Sequence, residues 1–323
     1  MTRLVLHMGL TKTGTSTLQQ SIFPRHPEIF YLGKYLKSDV ARGCRNDEVY
    51  EIVDSLLWNP PEPGADRAAI KQLYNARIES ELRKHKVVIG SWETNANMSD
   101  KKLGQVISMA QYLAGDCGAL YTLRNPVTWL TSEYLQRVQG QYYRKNREQQ
   151  FRGKPWIPFN EWLAVKDQAA FGLSGLFRCA TNIRGAADTL GREGVGVFIF
   201  EQLCADPEAY YGQVADWLGV EQPTFQRLAR GSHSNRRLRQ SEYERIQQVA
   251  ASQELSERWS KMSYAERVDD MRQYLGKGFE QGEGARVSLG EELRTYVEQT
   301  TSEPLRWVAQ QYDLPLEHYG YSV

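Results

Sequence analysis

The stretch "HMGLTKTGTST", residues 7–17, joins a strand pattern to a helix pattern near the beginning of this chain. It overlaps the end of a strand predicted over Arg3–Met8 and leads into a helix predicted over Thr15–Phe23. Glycines and hydroxyl side chains between a buried strand and a helix are typical of phosphate-binding loops, because backbone N–H groups at the helix start point toward an anion. The other interpretation is an ordinary strand-to-helix turn with N-cap residues.

The lysine of this loop has an unusual position. In the Walker A pattern G-x-x-x-x-G-K-[ST], the lysine directly follows the second glycine, and a Ser or Thr hydroxyl binds Mg²⁺. Here Gly9 and Gly14 have that separation, but Thr15 follows Gly14 and the lysine is Lys12. The sequence therefore favours a phosphate site and argues against the ATP–Mg²⁺ form of that site.

The overall composition is that of an ordinary globular protein. Of 323 residues, 41% are hydrophobic and 24% are charged, and the formal net charge is +1. This balance gives no indication of a nucleic-acid or membrane partner. The four cysteines have no CxxC spacing, and no run approaches the ~18 apolar residues that a membrane span needs. We therefore expect a protein of the reducing cytoplasm, with no transmembrane segment.

Strand patterns alternate with helix patterns along most of the chain. The predicted strands are Arg3–Met8, Lys86–Ser91, Gly118–Leu123 and Gly194–Phe200. This alternation predicts an α/β fold, with three α/β/α layers around a central, mostly parallel sheet and the loop in the position of a P-loop. A helical C-terminal region is predicted over residues 241–323, and the chain 1–323 is expected to form a single domain.

Polar side chains follow the predicted strands at the edge where ligands bind in parallel sheets. Lys12 comes after the first strand and Glu93 after the second. Arg124 comes directly after the third strand, and Glu201 follows the fourth. Because the carboxyl ends of parallel strands meet at one edge, we expect a ligand site there.

Two motifs together resemble the sulfotransferases that use 3′-phosphoadenylyl sulfate. The first is "KTGTST", residues 12–17, which resembles the 5′-phosphosulfate loop K-[ST]-G-T-[ST] of that family. The second is "LRNPVTWLTSEY", residues 123–134, in which Ser132 follows Arg124 after seven intervening residues. The family uses an arginine and a serine at that spacing to bind the 3′-phosphate. With a strand-and-helix element over 198–220, the resemblance covers about residues 1–237, the expected nucleotide-binding core.

The resemblance implies that the loop holds the 5′-phosphosulfate of the donor. Lys12 would lie at the bridging oxygen, where negative charge builds up as the sulfuryl group leaves. The other implied loop ligands, through backbone N–H groups and hydroxyls, are Thr13, Gly14, Thr15, Ser16 and Thr17. The implied co-substrate is 3′-phosphoadenylyl sulfate (PAPS), the product is 3′,5′-adenosine bisphosphate (PAP), and no metal takes part.

The resemblance also implies a separate site for the 3′-phosphate. A phosphate dianion favours a guanidinium fork and a hydroxyl, which Arg124 and Ser132 would supply. The chain lacks the glycine-rich C-terminal segment with which cytosolic members contact the 3′-phosphate and the adenosine. In "GSHSNRRL", one of Ser234, Asn235, Arg236 and Arg237 is expected to contact the 3′-phosphate or the lid. Asn235 and Arg236 are our candidates, and Arg237 is the alternative to Arg236 for the missing contacts.

Sulfuryl transfer to a hydroxyl needs in-line positioning and a general base within hydrogen-bond reach of the acceptor oxygen. The base of the resembling family is a histidine in many cytosolic members and a glutamate in many carbohydrate sulfotransferases. Glu93, in the stretch "GSWETNANM" after the second predicted strand, is therefore our candidate base, and its other interpretation is a structural carboxylate that caps a helix or pairs with a nearby cation. His7, at the end of the first strand, is the competing candidate, and its other interpretations are a phosphate contact or a position in the core.

The sequence leaves three functions open. The first is sulfuryl transfer from PAPS to a hydroxyl, less readily an amine, on a carbohydrate, lipid or small molecule. The second, a P-loop kinase that uses ATP–Mg²⁺, predicts a lysine after Gly14 that is absent. The third is a catalytically silent module that binds a nucleotide or a partner protein. Residues 134–162 mix basic and aromatic side chains, and they are either a solvated insertion or a lid over an acceptor site.

Overall fold

The computed structural model describes residues 3–34, 47–62, 65–144, 153–167, 173–230, 237–276 and 278–323. The chain divides into two compact units. The first unit consists of Met1–Asn125, Gly175–Ser234 and Glu298–Val323, and the second of Pro126–Ser174 and Asn235–Val297. The expected single domain over 1–323, the core over 1–237 and the insertion over 134–162 stay predictions.

The first unit contains a five-stranded sheet in which every pair of neighbouring strands is parallel. The strands are β1 Arg3–His7, β2 Ile29–Gly33, β3 Val87–Ser91, β4 Cys117–Leu123 and β5 Val195–Ile199. Their order across the sheet is β2-β3-β1-β4-β5, so β1 is central and the loop that follows it emerges between β3 and β4. The predicted α/β fold with a central parallel sheet is confirmed.

The strand β2 was not predicted from the sequence. Its five residues are all buried, and it pairs with β3 at one edge of the sheet. An unbroken apolar run this short, close behind the end of a helix, has no alternation that would distinguish a strand from the continuation of that helix. Tertiary contacts place this segment in the sheet: it pairs with β3, and its Tyr31 packs on Phe23 with ring centroids 5.6 Å apart.

Helices account for most of the remaining described residues. In chain order they are α1 (an α turn at Thr15–Thr17 continued by a π turn at Leu18–Ile22), α2 Asp47–Val53 (continued by a π turn at Asp54–Trp58), α3 Ala68–Leu82, α4 Asp100–Ala114, α5 Pro126–Arg144, α6 Phe159–Asp167, α7 Cys179–Leu190, α8 Phe200–Ala205, α9 Pro207–Leu218, α10 Gln222–Ala229, α11 Gln240–Ala251, α12 Gln253–Lys261, α13 Tyr264–Leu275 and α14 Glu291–Tyr312. Short 3-10 turns lie at Glu93–Asn97, Leu173–Phe177, Arg192–Gly194 and Glu317–Tyr319. In the described part of the chain, no helix is both long and apolar enough to cross a bilayer.

Helices cover both faces of the sheet in the first unit. On one face, α1, α9 and α10 pack with Val5, Ile89 and Phe198 in a single apolar cluster. On the other face, α4 contacts β1 and β4, and α7 contacts β4 and β5. Successive strand residues point to opposite faces of the sheet, so apolar side chains are buried on both faces. Burial of each large apolar side chain stabilises the folded state by about 1.5–3 kcal/mol. The predicted three-layer α/β/α arrangement is confirmed.

The second unit is helical and has its own buried centre. Trp259 is buried, and its indole N–H donates to the carbonyl oxygen of Tyr142 over 3.1 Å. The buried Arg267 guanidinium lies 4.3 Å from the Trp259 ring centroid and donates to the carbonyl oxygens of Tyr142 and Met262 over 2.8 and 2.9 Å. Backbone carbonyls thus satisfy a charged group that would otherwise be costly to bury. The predicted helical character of 241–323 is confirmed in its described parts.

Candidate active site

The loop after β1 begins by extending the pairing with β4. The backbone N–H of Met8 donates to Leu120 O over 2.9 Å, and that of Leu10 donates to Thr122 O over 3.2 Å. The chain then turns sharply, with Lys12 and Gly14 both in the left-handed region, at φ 63° and φ 76°. Alternation of left-handed residues with right-handed ones forms backbone concavities whose N–H groups converge on anions. Lys12 and Gly14 are two such left-handed residues, separated by Thr13, and the predicted binding of a phosphosulfate group by this loop stays a prediction.

Gly14 is required at its position for two reasons. Its φ of 76° strains any residue that has a Cβ atom. A Cβ built there would also lie 2.4 Å from Leu203 Cδ2, since the loop packs against α8. The backbone conformation and the contact with Leu203 thus explain why the second glycine of the loop, Gly14, is a glycine.

Arg124 connects the end of β4 to the loop. Its Nη1 donates to the carbonyl oxygen of Lys12 over 2.7 Å, across 112 residues of sequence. Its guanidinium lies 4.6 Å from the ring centroid of Phe200, at the start of α8. Stacking and this hydrogen bond restrict the guanidinium to one orientation beside the loop. Arg124 and the loop after β1, which the sequence predicted as parts of one site, are therefore neighbours.

Glu93 lies directly behind the loop and is mostly buried. Its Oε1 accepts a hydrogen bond from the Thr15 hydroxyl, and its Oε2 forms an ion pair with Lys34 Nζ. The Glu93 side chain is 10% exposed and the Lys34 side chain 25%. A carboxylate can accept about four hydrogen bonds, so two protein donors leave room for the hydroxyl of a bound molecule.

Lys34 is the main site residue that the sequence analysis missed. It follows β2, which was itself not predicted, and so it was not recognised as a polar residue at a strand end. The signal was present, because the apolar run "IFYLG" leads directly into "K" at position 34. Its Nζ also lies 3.5 Å from Gln19 Oε1, which connects it to α1.

His7 is fully buried beneath α1. Its Nδ1 is hydrogen-bonded to the Ser91 hydroxyl over 2.5 Å, and the Gln19 amide donates to the same hydroxyl over 2.7 Å. Burial lowers the pKa of His7 to about 4, with Glu93 opposing that shift and Lys34 adding to it. The imidazole is therefore neutral near pH 7 and belongs to a buried polar network behind the loop.

Asn182 of α7 is a second residue that sequence reasoning missed. It is fully buried, and its amide donates to the carbonyl oxygens of Ala96 and Met98, both over 3.0 Å. Arg178 Nε donates to the same Met98 oxygen over 3.1 Å. These bonds hold the turn that begins with Glu93 against α7. A lone Asn in a helix pattern carries no sequence signal of this role.

The hydroxyls of the loop have protein partners in this structure. The Thr13 hydroxyl donates to Leu10 O over 2.5 Å, and the Thr15 hydroxyl donates to Glu93. The Thr17 hydroxyl is hydrogen-bonded to Tyr211, and Ser16 is partly exposed. Their predicted donation to phosphate oxygens, like the predicted ligand roles of the loop as a whole, stays a prediction.

Three further predicted contacts are not tested by the geometry of the first unit. Ser132 lies on α5 in the second unit and is partly exposed, and its predicted role stays a prediction. Asn235 and Arg236 lie outside the described residues. Within the described ranges, no group of three or more His, Cys, Asp or Glu side chains could hold a metal ion.

Comparisons with known proteins give similarity to solved structures only. No family model matches the chain, and no curated protein matches it. The sulfotransferase of Alicyclobacillus acidocaldarius is similar with 19% identity and a TM-score of 0.45, over 69% of this chain and 83% of that protein. The sulfotransferase domain from the curacin biosynthetic pathway has 16% identity and a TM-score of 0.43, over 72% and 79%.

A third similar structure is mouse sulfotransferase SULT7A1 complexed with PAP. It has 15% identity and a TM-score of 0.39, over 72% of this chain and 64% of the mouse protein. The predicted resemblance is confirmed to this extent: solved structures that are similar to this chain include sulfotransferases.

Proposed function

We propose that this protein is a sulfotransferase that moves the sulfuryl group of PAPS to a hydroxyl acceptor. In the proposed reaction, the acceptor oxygen forms a bond to sulfur in line with the bond that breaks, between sulfur and the bridging oxygen of the 5′-phosphate. The acceptor proton goes to a general base, and PAP leaves with the negative charge. The observation that carries the proposal is the juxtaposition of Glu93 with the loop, through its hydrogen bond to Thr15.

The donor side of the proposal rests on the loop and on Arg124. Two left-handed residues in the loop give its backbone the curvature that an anionic group fits. Lys12 lies within this curvature and would stabilise the charge that develops on the bridging oxygen. Arg124, oriented by the Lys12 carbonyl and by Phe200, would bind the 3′-phosphate.

The acceptor side rests on Glu93 and Lys34. We assign the general base to Glu93, because its carboxylate lies at the loop and keeps accepting capacity beyond its two protein donors. Lys34 holds that carboxylate in place and adds a second cation beside the loop. His7 is the less suitable base, because its ring is fully buried and bonded to Ser91.

Calorimetric titration with PAP tests the donor site. We expect PAP binding without added metal, and binding that Arg124→Ala weakens strongly. ATP with Mg²⁺ is titrated in parallel, because an ATP–Mg²⁺ enzyme would bind that ligand in preference. Absence of PAP binding at high micromolar concentration would overturn the proposal.

Labelled-sulfate transfer tests the reaction itself. Carbohydrates, lipids and small molecules that carry hydroxyl or amine groups are screened with radiolabelled PAPS. We expect at least one class to accept the label and Glu93→Gln to abolish most of the transfer. PAP binding with no transfer to any acceptor pool would instead favour the catalytically silent module.

A further inference from the structure

The start of α8, directly after β5, is hydrogen-bonded to the turn around Tyr321. Glu201, the second residue of α8, uses both carboxylate oxygens for this purpose. Its Oε1 accepts from the backbone N–H of Asn125 over 3.0 Å, and its Oε2 accepts from the Tyr321 hydroxyl over 2.7 Å. One side chain thus connects three segments that are distant in sequence.

A third hydrogen bond completes the arrangement. The Asn125 side-chain amide donates to the carbonyl oxygen of Gly320 over 2.7 Å. Asn125 is 8% exposed and Tyr321 4% exposed, so water competes little for these bonds. We refer to Asn125, Glu201, Gly320 and Tyr321 as the C-terminal latch.

The latch residues Asn125 and Glu201 are the sequence neighbours of Arg124 and of Phe200, whose ring the Arg124 guanidinium contacts. Asn125, which the latch holds at backbone and side chain, directly follows Arg124 in the chain. Glu201, which accepts both bonds, directly follows Phe200, on whose ring Arg124 stacks at 4.6 Å. The latch therefore fixes the residue that follows each member of the stacked pair, Asn125 after Arg124 and Glu201 after Phe200.

Tyr321 is the donor in its bond to Glu201. Burial, with the Glu201 carboxylate as the next cause, raises the pKa of Tyr321 well above its usual range. The hydroxyl consequently stays protonated at neutral pH. A hydrogen bond from a neutral hydroxyl to a carboxylate is among the stronger ones in proteins.

We propose that Tyr321 and Glu201 are positioning residues for Arg124 and thereby set the affinity for the 3′-phosphate. The inference rests on the proposed function, in which Arg124 binds that phosphate. Guanidinium recognition of phosphate depends on aligned, paired hydrogen bonds, and a small displacement of the fork loses one of them. The C-terminal turn is thus part of the donor site through Arg124.

A double-mutant cycle on PAP affinity tests the inference. The dissociation constant is measured by calorimetry for the wild type, Tyr321→Phe, Arg124→Ala and the double variant. We expect Tyr321→Phe to weaken PAP binding about tenfold, and to have no further effect once Arg124 is already alanine. Tyr319→Phe, the same substitution two residues away and outside the latch, is the matched control and should bind like the wild type.

The outcomes separate the inference from the function on which it rests. An unchanged PAP affinity in Tyr321→Phe, or an equal loss in both backgrounds, overturns the latch while PAP binding by the wild type stands. Absence of PAP binding by the wild type overturns the proposed function and the latch with it. Urea unfolding of each variant shows whether it is folded, and where Tyr321→Phe is not, Glu201→Gln, which removes the carboxylate charge of the latch, takes its place in the same cycle.

Discussion

The guanidinium of Arg124 donates a hydrogen bond to the carbonyl oxygen of Lys12 over 2.7 Å. This bond joins the turn after β4 to the loop after β1, two neighbouring strands of the sheet. In the proposed function, Lys12 serves the 5′-phosphosulfate and Arg124 the 3′-phosphate, so the bond fixes the relation between the two anion sites.

Arg124→Ala is expected to raise the dissociation constant of PAP about 10- to 100-fold, because charge-assisted hydrogen bonds to the phosphate are lost. Arg124→Lys should recover only part of the affinity, since an ammonium group has neither the planar fork nor the same stacking on Phe200. Calorimetric titration measures both. Arg272→Ala, which removes an exposed arginine of the second unit, is the control, and equal affinities in all four proteins would contradict the assignment.

Glu93→Gln is expected to lower kcat by about 10²–10⁴-fold, because an amide cannot take the acceptor proton. The amide oxygen can still accept from Thr15, so PAP affinity should stay close to the wild-type value. Initial rates with labelled PAPS, together with calorimetry, separate the two effects. Glu257→Gln, an exposed glutamate on α12, controls for loss of charge alone, and an unchanged kcat in Glu93→Gln would remove Glu93 as the base.

Lys34→Met is expected to lower the free energy of unfolding by about 1–3 kcal/mol, because the mostly buried Glu93 carboxylate loses its cation. The same substitution should cost less in a Glu93→Gln background, where no carboxylate remains. Urea unfolding of the wild type, both single variants and the double variant measures this coupling. Additive effects in that cycle would mean that the ion pair contributes nothing to stability.

Gly14→Ala is expected to destabilise the protein by about 1–3 kcal/mol, since an L-residue is strained at φ 76° and its Cβ would meet Leu203. Adding Leu203→Ala to the Gly14→Ala variant should remove the steric clash with the new Cβ atom but not the backbone strain at residue 14. Gly104→Ala in α4 is the matched control, because a Cβ there meets nothing within 4 Å. Thermal unfolding should show that this control is slightly stabilised, and an equal response of Gly14 and Gly104 would refute the packing argument.

His7 is expected to make the protein less stable in mild acid. Its pKa of about 4 in the folded state lies below the ordinary value of 6.5, so the unfolded chain binds the proton more readily between these values. The contribution of His7 to the free energy of unfolding is therefore fully present above pH 6.5 and is lost as the pH falls toward 4. Between pH 7 and pH 5 the loss is about 2 kcal/mol.

The variant His7→Asn isolates that contribution. Its amide can still reach Ser91 but does not titrate, so the difference between wild type and variant in the pH dependence of urea unfolding reports the His7 share. We expect the variant to lose less stability than the wild type between pH 7 and pH 5. Parallel pH profiles of the two proteins would show that His7 does not titrate as its burial implies.

Several elements of the site were readable from local sequence. The strand β1, the loop and helix α1 form one continuous segment, and their pattern depends only on neighbouring residues. Arg124 was found for the same reason, because a buried strand leads directly into it. Alternating strands and helices likewise predicted the parallel sheet, since short crossovers of that kind permit few other arrangements.

Other elements depend on contacts between distant segments. Lys34 pairs with Glu93 across 59 residues because β2 lies beside β3, and the short run of β2 carried no periodicity. Tyr321 reaches Glu201 across 120 residues. The sequence left the choice between Glu93 and His7 as the base open, since each ends or follows a strand, and the assignment to Glu93 stays a proposal.

The sequence by itself determined the strand–loop–helix unit around Lys12 and Gly14, because hydrophobic period and glycine position act within a few residues. Only the tertiary structure decided which side chains meet that loop. Glu93 follows β3 and Arg124 follows β4, and these strands lie on either side of β1. His7 is buried in the core, where it is hydrogen-bonded to Ser91. Packing of distant segments sets these relations, and no local pattern encodes it.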